Sequence, residues 1–162
     1  YIGSINLQEN FIRARKLAIG RAIESLREVN DECEKFQIRL ALENTNLMPK
    51  DSPLFYLGDR ISDFHLIFSK IKSPYLCLCL DLGHAHTNEG ILPYIKKFGP
   101  KIINVHFHDN DGTRDDHLNI GEGNINWKRV MKAFAEIGYS GPFLSETKDA
   151  PEVSMRKVLR FL

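Results

Sequence analysis

Four short apolar runs alternate with segments of helical periodicity along this chain of 162 residues. The apolar runs cover residues 36–43, 75–81, 102–106 and 142–146 and are typical of buried β-strands. Apolar residues that recur every three or four positions predict helices at 7–29, 59–71, 91–98, 127–137 and 151–162, the fourth with Asn126 as its N-cap. Strands that alternate with helices imply parallel β-α-β units, so we predict an α/β fold.

The connections between these elements are polar. Residues 44–56 and 109–126 are predicted loops, and Gly83 opens a third loop that carries His84 and His86. The loop at 109–126 is the longest and holds several aspartates.

The first strand, predicted at residues 36–42, has two unlike faces. Its apolar face comprises Phe36, Ile38, Leu40 and Leu42. Its other face comprises Gln37, Arg39, Ala41 and Glu43. An apolar face packs under helices while a polar face lines an interior, so this division favours a barrel wall over a flat sheet covered on both sides.

The number of strands is half of what a barrel requires. A parallel (β/α)8 barrel of the TIM type has eight strands and about 250 residues. We therefore expect residues 1–162 to form a single domain of about four β/α units, the C-terminal half of such a barrel. The chain begins with Tyr1 rather than Met, so we expect the N-terminal half to lie upstream. A small open α/β sheet is the alternative.

A half barrel exposes two sheet edges, so we expect self-association or pairing with a missing half. The net charge of +1, from 22 basic and 21 acidic residues, argues against a broad nucleic-acid surface, although a local basic groove remains compatible with it. Cys33, Cys77 and Cys79 are odd in number, and we expect neither a disulfide nor a thiolate metal site. Free thiols, the lack of a signal peptide and the lack of an apolar run near 18 residues predict a cytoplasmic protein without a membrane span.

Each predicted strand ends in a residue that can bind a divalent metal. These residues are Glu43, Asp81, His106 and Glu146. The carboxyl ends of parallel strands meet at one rim, so we expect the four side chains to converge. Three carboxylates and one imidazole suit Mn, Zn, Co or Mg and leave positions open for substrate, as in catalytic metal sites.

Structural interpretations of the same residues stay open. A glutamate in such a place caps a loop or pairs with an arginine, an aspartate forms a turn, and a strand histidine is satisfied in a core. His65, in mid-helix, is interpreted as a surface or packing residue. His86 is intermediate, and His108, in phase with His106, is a candidate to line the pocket or bind a substrate oxyanion.

Four segments resemble the xylose-isomerase-like TIM-barrel superfamily, which includes sugar-phosphate isomerases and epimerases and the endonuclease-IV-type AP endonucleases. They read ALENT, CLDLGHAH, NVHFHDNDGTRDDHLNIGEGNINW and LSETK and span about residues 36–147. The segment 106–127 is the most specific, with H-x-H-D-N, D-D-H and G-x-G-x-I-x-W in order.

The resemblance implies roles for individual residues. The implied ligands of the main metal end the fifth to eighth barrel strands: Glu43, Asp81, His106 and Glu146. Glu43 and Glu146 would also form the acid/base pair. His84 matches a substrate-contacting residue of the epimerases, and His84, Asp115 and His117 match ligands of an additional metal in the nucleases. Two further histidine ligands of the nucleases belong to the N-terminal half.

The implied activity is that of a metal-dependent sugar or sugar-phosphate isomerase or epimerase, which abstracts a proton next to a metal-bound carbonyl. We expect a small sugar or sugar phosphate as the partner, with Arg39 and His108 as candidate substrate-binding residues. The alternatives are a zinc-dependent AP endonuclease, a dehydratase of a cyclic sugar acid and a non-catalytic metal-binding fragment.

Overall fold

The computed structural model describes residues 7–48, 52 and 54–161. Within these residues four strands form one parallel sheet in the order β1-β2-β3-β4. The strands are β1 Leu40–Glu43, β2 Leu76–Asp81, β3 Ile102–Phe107 and β4 Phe143–Ser145. The helices are α1 Leu7–Lys35, α2 Ile61–Lys70, α3 Leu82–His86, α4 Ile91–Phe98, α5 Trp127–Glu136 and α6 Pro151–Val158. Short 3-10 turns lie at Gly99–Lys101 and Leu159–Phe161. The predicted α/β fold of parallel units is confirmed.

The start of the first strand differs from the prediction. Helix α1 continues to Lys35, and the chain then turns through Gln37, whose φ is 55°. Phe36 and Ile38 are 71% and 60% exposed and lie outside the strand, which begins at Leu40. Alternation of apolar and polar residues runs unbroken through this turn, so the pattern alone placed the strand too early.

The predicted loop after Gly83 is also wrong, because residues 82–86 form helix α3. Asp81 ends β2 and at once caps this helix, since its Oδ1 accepts a hydrogen bond of 2.6 Å from the backbone N–H of His84. The predicted loop at 44–56 lies partly outside the described residues, at 49–51 and 53. The predicted N-cap Asn126 is confirmed, as its Oδ1 accepts from Arg129 N at 3.0 Å.

The core lies between the sheet and the helices. On the helix-facing side of β2 and β3 the side chains of Leu78, Leu80, Val105 and Phe107 are fully buried. They meet aromatic and aliphatic side chains of α2, α4 and α5. A second cluster joins Ile19 and Ile23 of α1 to Ile67, Ile71 and Leu76. The helices thus cover one face of the sheet, as the phase of β1 predicted for Leu40 and Leu42.

The other face of the sheet carries Cys79, Asn104 and His106 on its central strands. Leu144, which lies opposite His106 in the β3–β4 register, is 52% exposed on this face. Within the described residues, β1 and β4 each pair with a neighbour on one side alone. The four strands form about half of the wall of a parallel barrel.

Among the helices of the described part, none has the length and apolarity needed to cross a lipid bilayer.

Candidate metal centre

The four residues that end the strands converge at the carboxyl rim of the sheet. Glu43, Asp81, His106 and Glu146 each offer a ligand atom, and these atoms all lie within 4.8 Å of one another. His106 Nδ1 is 3.2 Å from Glu43 Oε1 and 2.9 Å from Glu146 Oε1. We call this set the first ligand group. The predicted convergence of the four strand ends is thus what the structure displays.

The shape of the sheet explains how outer strands contribute to one group. Glu43 ends β1 and Glu146 follows β4, and in a flat sheet these strands would lie about 14 Å apart. Curvature of the sheet and the length of the glutamate side chains bring their carboxylates to the same imidazole. Asp81 and His106 are direct partners in the β2–β3 register, so the two central ligands are side by side.

A second ligand group adjoins the first. It comprises His84, His108, Asp115 and His117, whose ligand atoms also lie within 4.8 Å of one another. Three imidazoles surround one carboxylate: the Nε2 atoms of His84, His108 and His117 are each 3.3 Å from an oxygen of Asp115. The resemblance named three of these residues as ligands, whereas His108 was predicted to bind substrate and here lies inside the group, fully buried.

The two groups meet at Asp81. Its Oδ1 is 3.3 Å from His108 Nε2 and 3.6 Å from His84 Nδ1. His108 in turn stacks on His117, with ring centroids 3.8 Å apart and an interplanar angle of 15°. Asp81 therefore belongs to the first group and contacts the second.

Several buried polar atoms in these groups have no hydrogen-bond partner. They are Asp81 Oδ2, Asp115 Oδ1 and both ring nitrogens of His108. Leaving such atoms unpaired costs about 1–3 kcal/mol each, and these atoms are gathered in one place. Carboxylate oxygens and imidazole nitrogens that face a common point are the donors divalent metals take. The residues present therefore fit a divalent metal, in the first group and in the second.

The electrostatics of the second group depend on its carboxylates. Burial lowers the pKa of His84, but the hydrogen bond to Asp115, the charge of Asp81 and the Asn44 carbonyl outweigh it and raise the pKa to about 9. Burial and Asp81 compete in the same way at His108, and its pKa also rises. Burial alone would raise the pKa of Asp115, yet the surrounding histidines lower it. The carboxylates thus favour the charged forms of these imidazoles, and the imidazoles favour the charged form of Asp115.

Asn44 supports both groups, and the sequence analysis assigned it no role. Its fully buried side chain donates to Asp81 O at 2.9 Å and accepts from Asp81 N at 2.8 Å, which ties the ends of β1 and β2 together. Its carbonyl oxygen lies 2.8 Å from His84 Nδ1 and so directs His84 Nε2 towards Asp115. Outer contacts of this kind orient metal-binding side chains.

The inner face near the first group also carries Cys79 and Asn104. Burial, followed by the charge of Glu43, raises the pKa of the Cys79 thiol to about 12. The thiol therefore stays protonated near neutral pH and is a poor ligand, although its sulfur lies close to Glu43 and His106. Asn104 Nδ2 is 3.0 Å from His106 Nε2, which leaves Nδ1 of His106 facing the two glutamates.

Three other candidates lie apart from the two groups. Arg39 lies before β1, at the opposite end of that strand, and lines a groove with Pro100, Ile103 and Tyr139. The predicted substrate-binding residue Arg39 thus lies away from the two ligand groups. His86 bonds through Nε2 to Asn124 Oδ1, and His65 is exposed on α2.

Comparison with known proteins identifies the family. The chain is 36% identical over 140 residues to the uncharacterized protein MJ1311 of Methanocaldococcus jannaschii, a match that covers 84% of this chain and 46% of MJ1311. It is 28% identical to fructoselysine 3-epimerase of Escherichia coli O157:H7 over 75% of this chain and 43% of the epimerase. The chain thus spans less than half the length of these curated relatives.

Solved structures of other proteins superpose on this chain. The crystal structure of a D-tagatose 3-epimerase-like protein superposes with a TM-score of 0.78 at 32% identity, covering 88% of this chain and 54% of that one. The IOLI protein with a bound zinc atom shares the fold, with a TM-score of 0.70 at 20% identity over 91% of this chain and 55% of that one. The family model of the xylose isomerase-like TIM barrel matches residues 7–162. The chain therefore belongs to the xylose isomerase-like TIM-barrel family and forms part of a barrel.

Proposed function

We propose that this chain is the C-terminal half of a metal-dependent sugar or sugar-phosphate epimerase or isomerase. The observation that carries the proposal is the first ligand group, in which three carboxylates and one imidazole place their donor atoms within 4.8 Å. The family membership and the epimerases among the relatives support the same reaction class. We propose all four residues as metal ligands, and the distances between their donor atoms support that role.

In the proposed reaction, Glu43, Asp81, His106 and Glu146 hold a divalent ion. When bound, such an ion polarises a carbonyl oxygen and so acidifies the neighbouring C–H bond. Mn, Co, Mg and Zn all suit this donor set. The side chains of Glu43 and Glu146 are 39% and 31% exposed, so the four strands alone do not enclose either carboxylate.

Glu43 and Glu146 form the proposed acid/base pair. One carboxylate removes the proton from the carbon beside the carbonyl, and the electron pair of the C–H bond forms the carbon–carbon double bond of an enediolate. The other carboxyl group returns a proton to that carbon from the other face in an epimerase. The two residues come from the outermost strands of the sheet, which suits attack from two sides of a substrate that lies across the rim.

His84 is proposed to hold a substrate hydroxyl. Its ring is fixed by Asn44 and Asp115, and 15% of its side chain is exposed, so it presents an edge to the interior without rotating freely. The substrate is a small sugar or sugar phosphate, since the groups lie inside a barrel wall rather than on a flat surface. Arg39 has no part in this proposal because it lies at the far end of β1.

The free edges of β1 and β4 call for a further partner. A closed parallel barrel needs about eight strands, and its closure leaves no edge unpaired. We propose that a complementary four-stranded half, or a second copy of this chain, pairs with both edges. Light scattering of the purified chain, alone and with a co-expressed N-terminal half of a relative such as MJ1311, separates the two arrangements by mass.

Exchange of substrate protons with solvent tests the proposed reaction. The completed barrel, loaded with Mn²⁺ or Zn²⁺, is incubated in D₂O with a panel of ketoses and ketose phosphates, and loss of the proton beside the carbonyl is followed by NMR. Glu146→Gln should abolish exchange without unfolding the protein, because it removes a base and no core volume. Glu136→Gln, an exposed glutamate on α5, is the matched control and should exchange at the wild-type rate.

A second candidate function rests on the second ligand group. His84, Asp115 and His117 are the residues whose counterparts hold an additional metal in endonuclease-IV-type nucleases, and the structure brings them together. A zinc-dependent AP endonuclease would cleave a duplex that contains an abasic site and would bind more than one zinc ion. Cleavage of such a duplex, with no exchange of sugar protons, would favour this candidate over the epimerase.

A further inference from the structure

The carboxylate of Asp109 is fully buried behind the second ligand group, and the proposed chemistry does not use it. Its oxygens accept four hydrogen bonds. Oδ1 accepts from the backbone N–H of Asn110 at 3.0 Å and of Ile125 at 3.3 Å. Oδ2 accepts from the backbone N–H of Gly121 at 2.8 Å and from Trp127 Nε1 at 2.9 Å. These donors come from both ends of the loop 109–126.

The same residue also fixes the middle of the loop through its backbone. Asp109 N donates to Leu118 O and Leu118 N donates to Asp109 O, each at 2.9 Å. Leu118 follows His117 directly, and His117 is two residues from Asp115. The two loop residues of the second ligand group are therefore attached to the sheet through Asp109.

A carboxylate suits this position better than an amide does. All four partners are N–H donors, and a carboxylate accepts with both oxygens while an amide presents an NH₂ group on one side. An asparagine in either orientation would turn that NH₂ towards two of the donors. Space is equally restricted, since a Cβ on Gly123 would lie 2.3 Å from Asp109 Oδ1. The segment D-N, followed by G-x-G-x-I-x-W, thus surrounds one carboxylate with hydrogen-bond donors. We call the donors of Asn110, Gly121, Ile125 and Trp127 the cradle of Asp109.

We propose that Asp109 is a positioning residue, which closes the loop 109–126 and thereby presents Asp115 and His117 to a cation in the second ligand group. This rests on the second candidate function in so far as that group binds a metal. The ligands of the first group lie on strand ends, outside the loop, which reaches them through the 2.6 Å contact between His117 Nδ1 and Glu146 O. Loss of Asp109 should therefore weaken the second group more than the first.

The test compares two loop variants with the same change in charge. In Asp109→Asn an NH₂ group replaces one of the two acceptor oxygens, whereas in Asp111→Asn the substituted residue is exposed and bonds within a turn at Thr113. Metal-stripped wild-type and variant chains are titrated with Zn²⁺ by calorimetry, and hydrogen exchange of the amides at 115–118 is measured by mass spectrometry. Trp127 is the single tryptophan of the chain, so its emission reports the cradle directly.

The expected result is a split between the two groups. Asp109→Asn should keep the affinity of the first ion within about twofold and weaken the second by about 10–100-fold, the range for lost outer contacts of a metal site. The amides at 115–118 should exchange at least about tenfold faster, and the Trp127 emission should shift to the red. Asp111→Asn should match the wild type in all three measurements.

Other outcomes separate the two proposals. Equal zinc affinities and equal amide protection in Asp109→Asn and wild type would overturn the role of Asp109, whatever the change in thermal stability. A wild-type chain that binds no ion contradicts the metal-dependent function, and amide exchange then decides the role of Asp109 alone. If Asp109→Asn does not fold, Trp127→Phe removes one donor and keeps an aromatic ring; unchanged amide exchange in that variant would overturn the proposal.

Discussion

Gly83 is the position where the structure leaves least room for a side chain. It lies in α3 beside His108, and a Cβ built on it would be 1.9 Å from His108 Cε1 and 2.3 Å from Nε2. Carbon atoms in contact normally lie about 3.5–4.0 Å apart, so Gly83→Ala requires the ring to move by about 1.6–2 Å. The ring cannot retreat freely, because His117 stacks on it at a centroid distance of 3.8 Å.

The expected destabilisation follows from two opposing effects. Overpacking of a core costs about 1–3 kcal/mol, and the severity of this overlap places the cost near 3 kcal/mol. Alanine in place of glycine in a helix returns about 1 kcal/mol. Gly83→Ala should therefore lower the free energy of unfolding by about 2 kcal/mol, and the displaced imidazole should weaken zinc binding in the second ligand group.

Urea denaturation of the metal-free protein, followed by circular dichroism, measures this change. Gly20→Ala in α1 is the control, as a Cβ there meets no atom within 4 Å and should stabilise the chain by about 0.5–1 kcal/mol. In a His108→Ala background the clash is removed, so Gly83→Ala should no longer destabilise. A Gly83→Ala protein as stable as wild type, or an equal loss in both backgrounds, would refute the contact between Gly83 and His108.

Three further predictions concern other parts of the molecule. Arg15→Met should lower the free energy of unfolding at neutral pH by about 3–5 kcal/mol, because it leaves the carboxylates of Asp59 and Asp63 buried and unpaired. Burial raises the pKa of Asp59, so the loss measured by urea denaturation should shrink as the pH falls. The partly exposed Cys33 should react with a thiol reagent at pH 8. Burial raises the pKa of the Cys79 thiol to about 12 and should protect Cys79 from the reagent. Mass spectrometric mapping of the labelled cysteines checks this. In the metal-free protein the pKa of His84 is raised from 6.5 to about 9, so its stabilising contribution is complete below about pH 6.5 and is lost as the pH rises through about 9. In His84→Gln the free energy of unfolding should therefore change less with pH between these two values. An unchanged pH dependence in this variant would contradict the prediction.

The residues of the first ligand group could be predicted because their position follows from chain order alone. A carboxylate or imidazole at the end of a buried parallel strand lies at the rim, whatever the details of packing. Glu43, Asp81, His106 and Glu146 were found in this way. The same reasoning misplaced Arg39, which shares a sheet face with Glu43 but lies four residues, or about 13 Å, lower along the strand.

Features set by tertiary contacts escaped the sequence analysis. The turn at Gln37 interrupts an unbroken apolar alternation, and α3 is too short to show helical periodicity around Gly83. His108 shares the phase of His106, yet its burial depends on the stack with His117, which a distant loop supplies. Roles such as that of Asn44 depend on which backbone groups meet a side chain, and spacing along the chain carries no record of that.

The central claim is that four strand-end side chains hold one divalent ion. The most direct measurement is anomalous diffraction at the zinc absorption edge from crystals of the protein grown with Zn²⁺. The account predicts a peak about 2.0–2.2 Å from donor atoms of Glu43, Asp81, His106 and Glu146 together. A fully zinc-loaded crystal with no peak among these four side chains, or with the peak held by other residues alone, would contradict it.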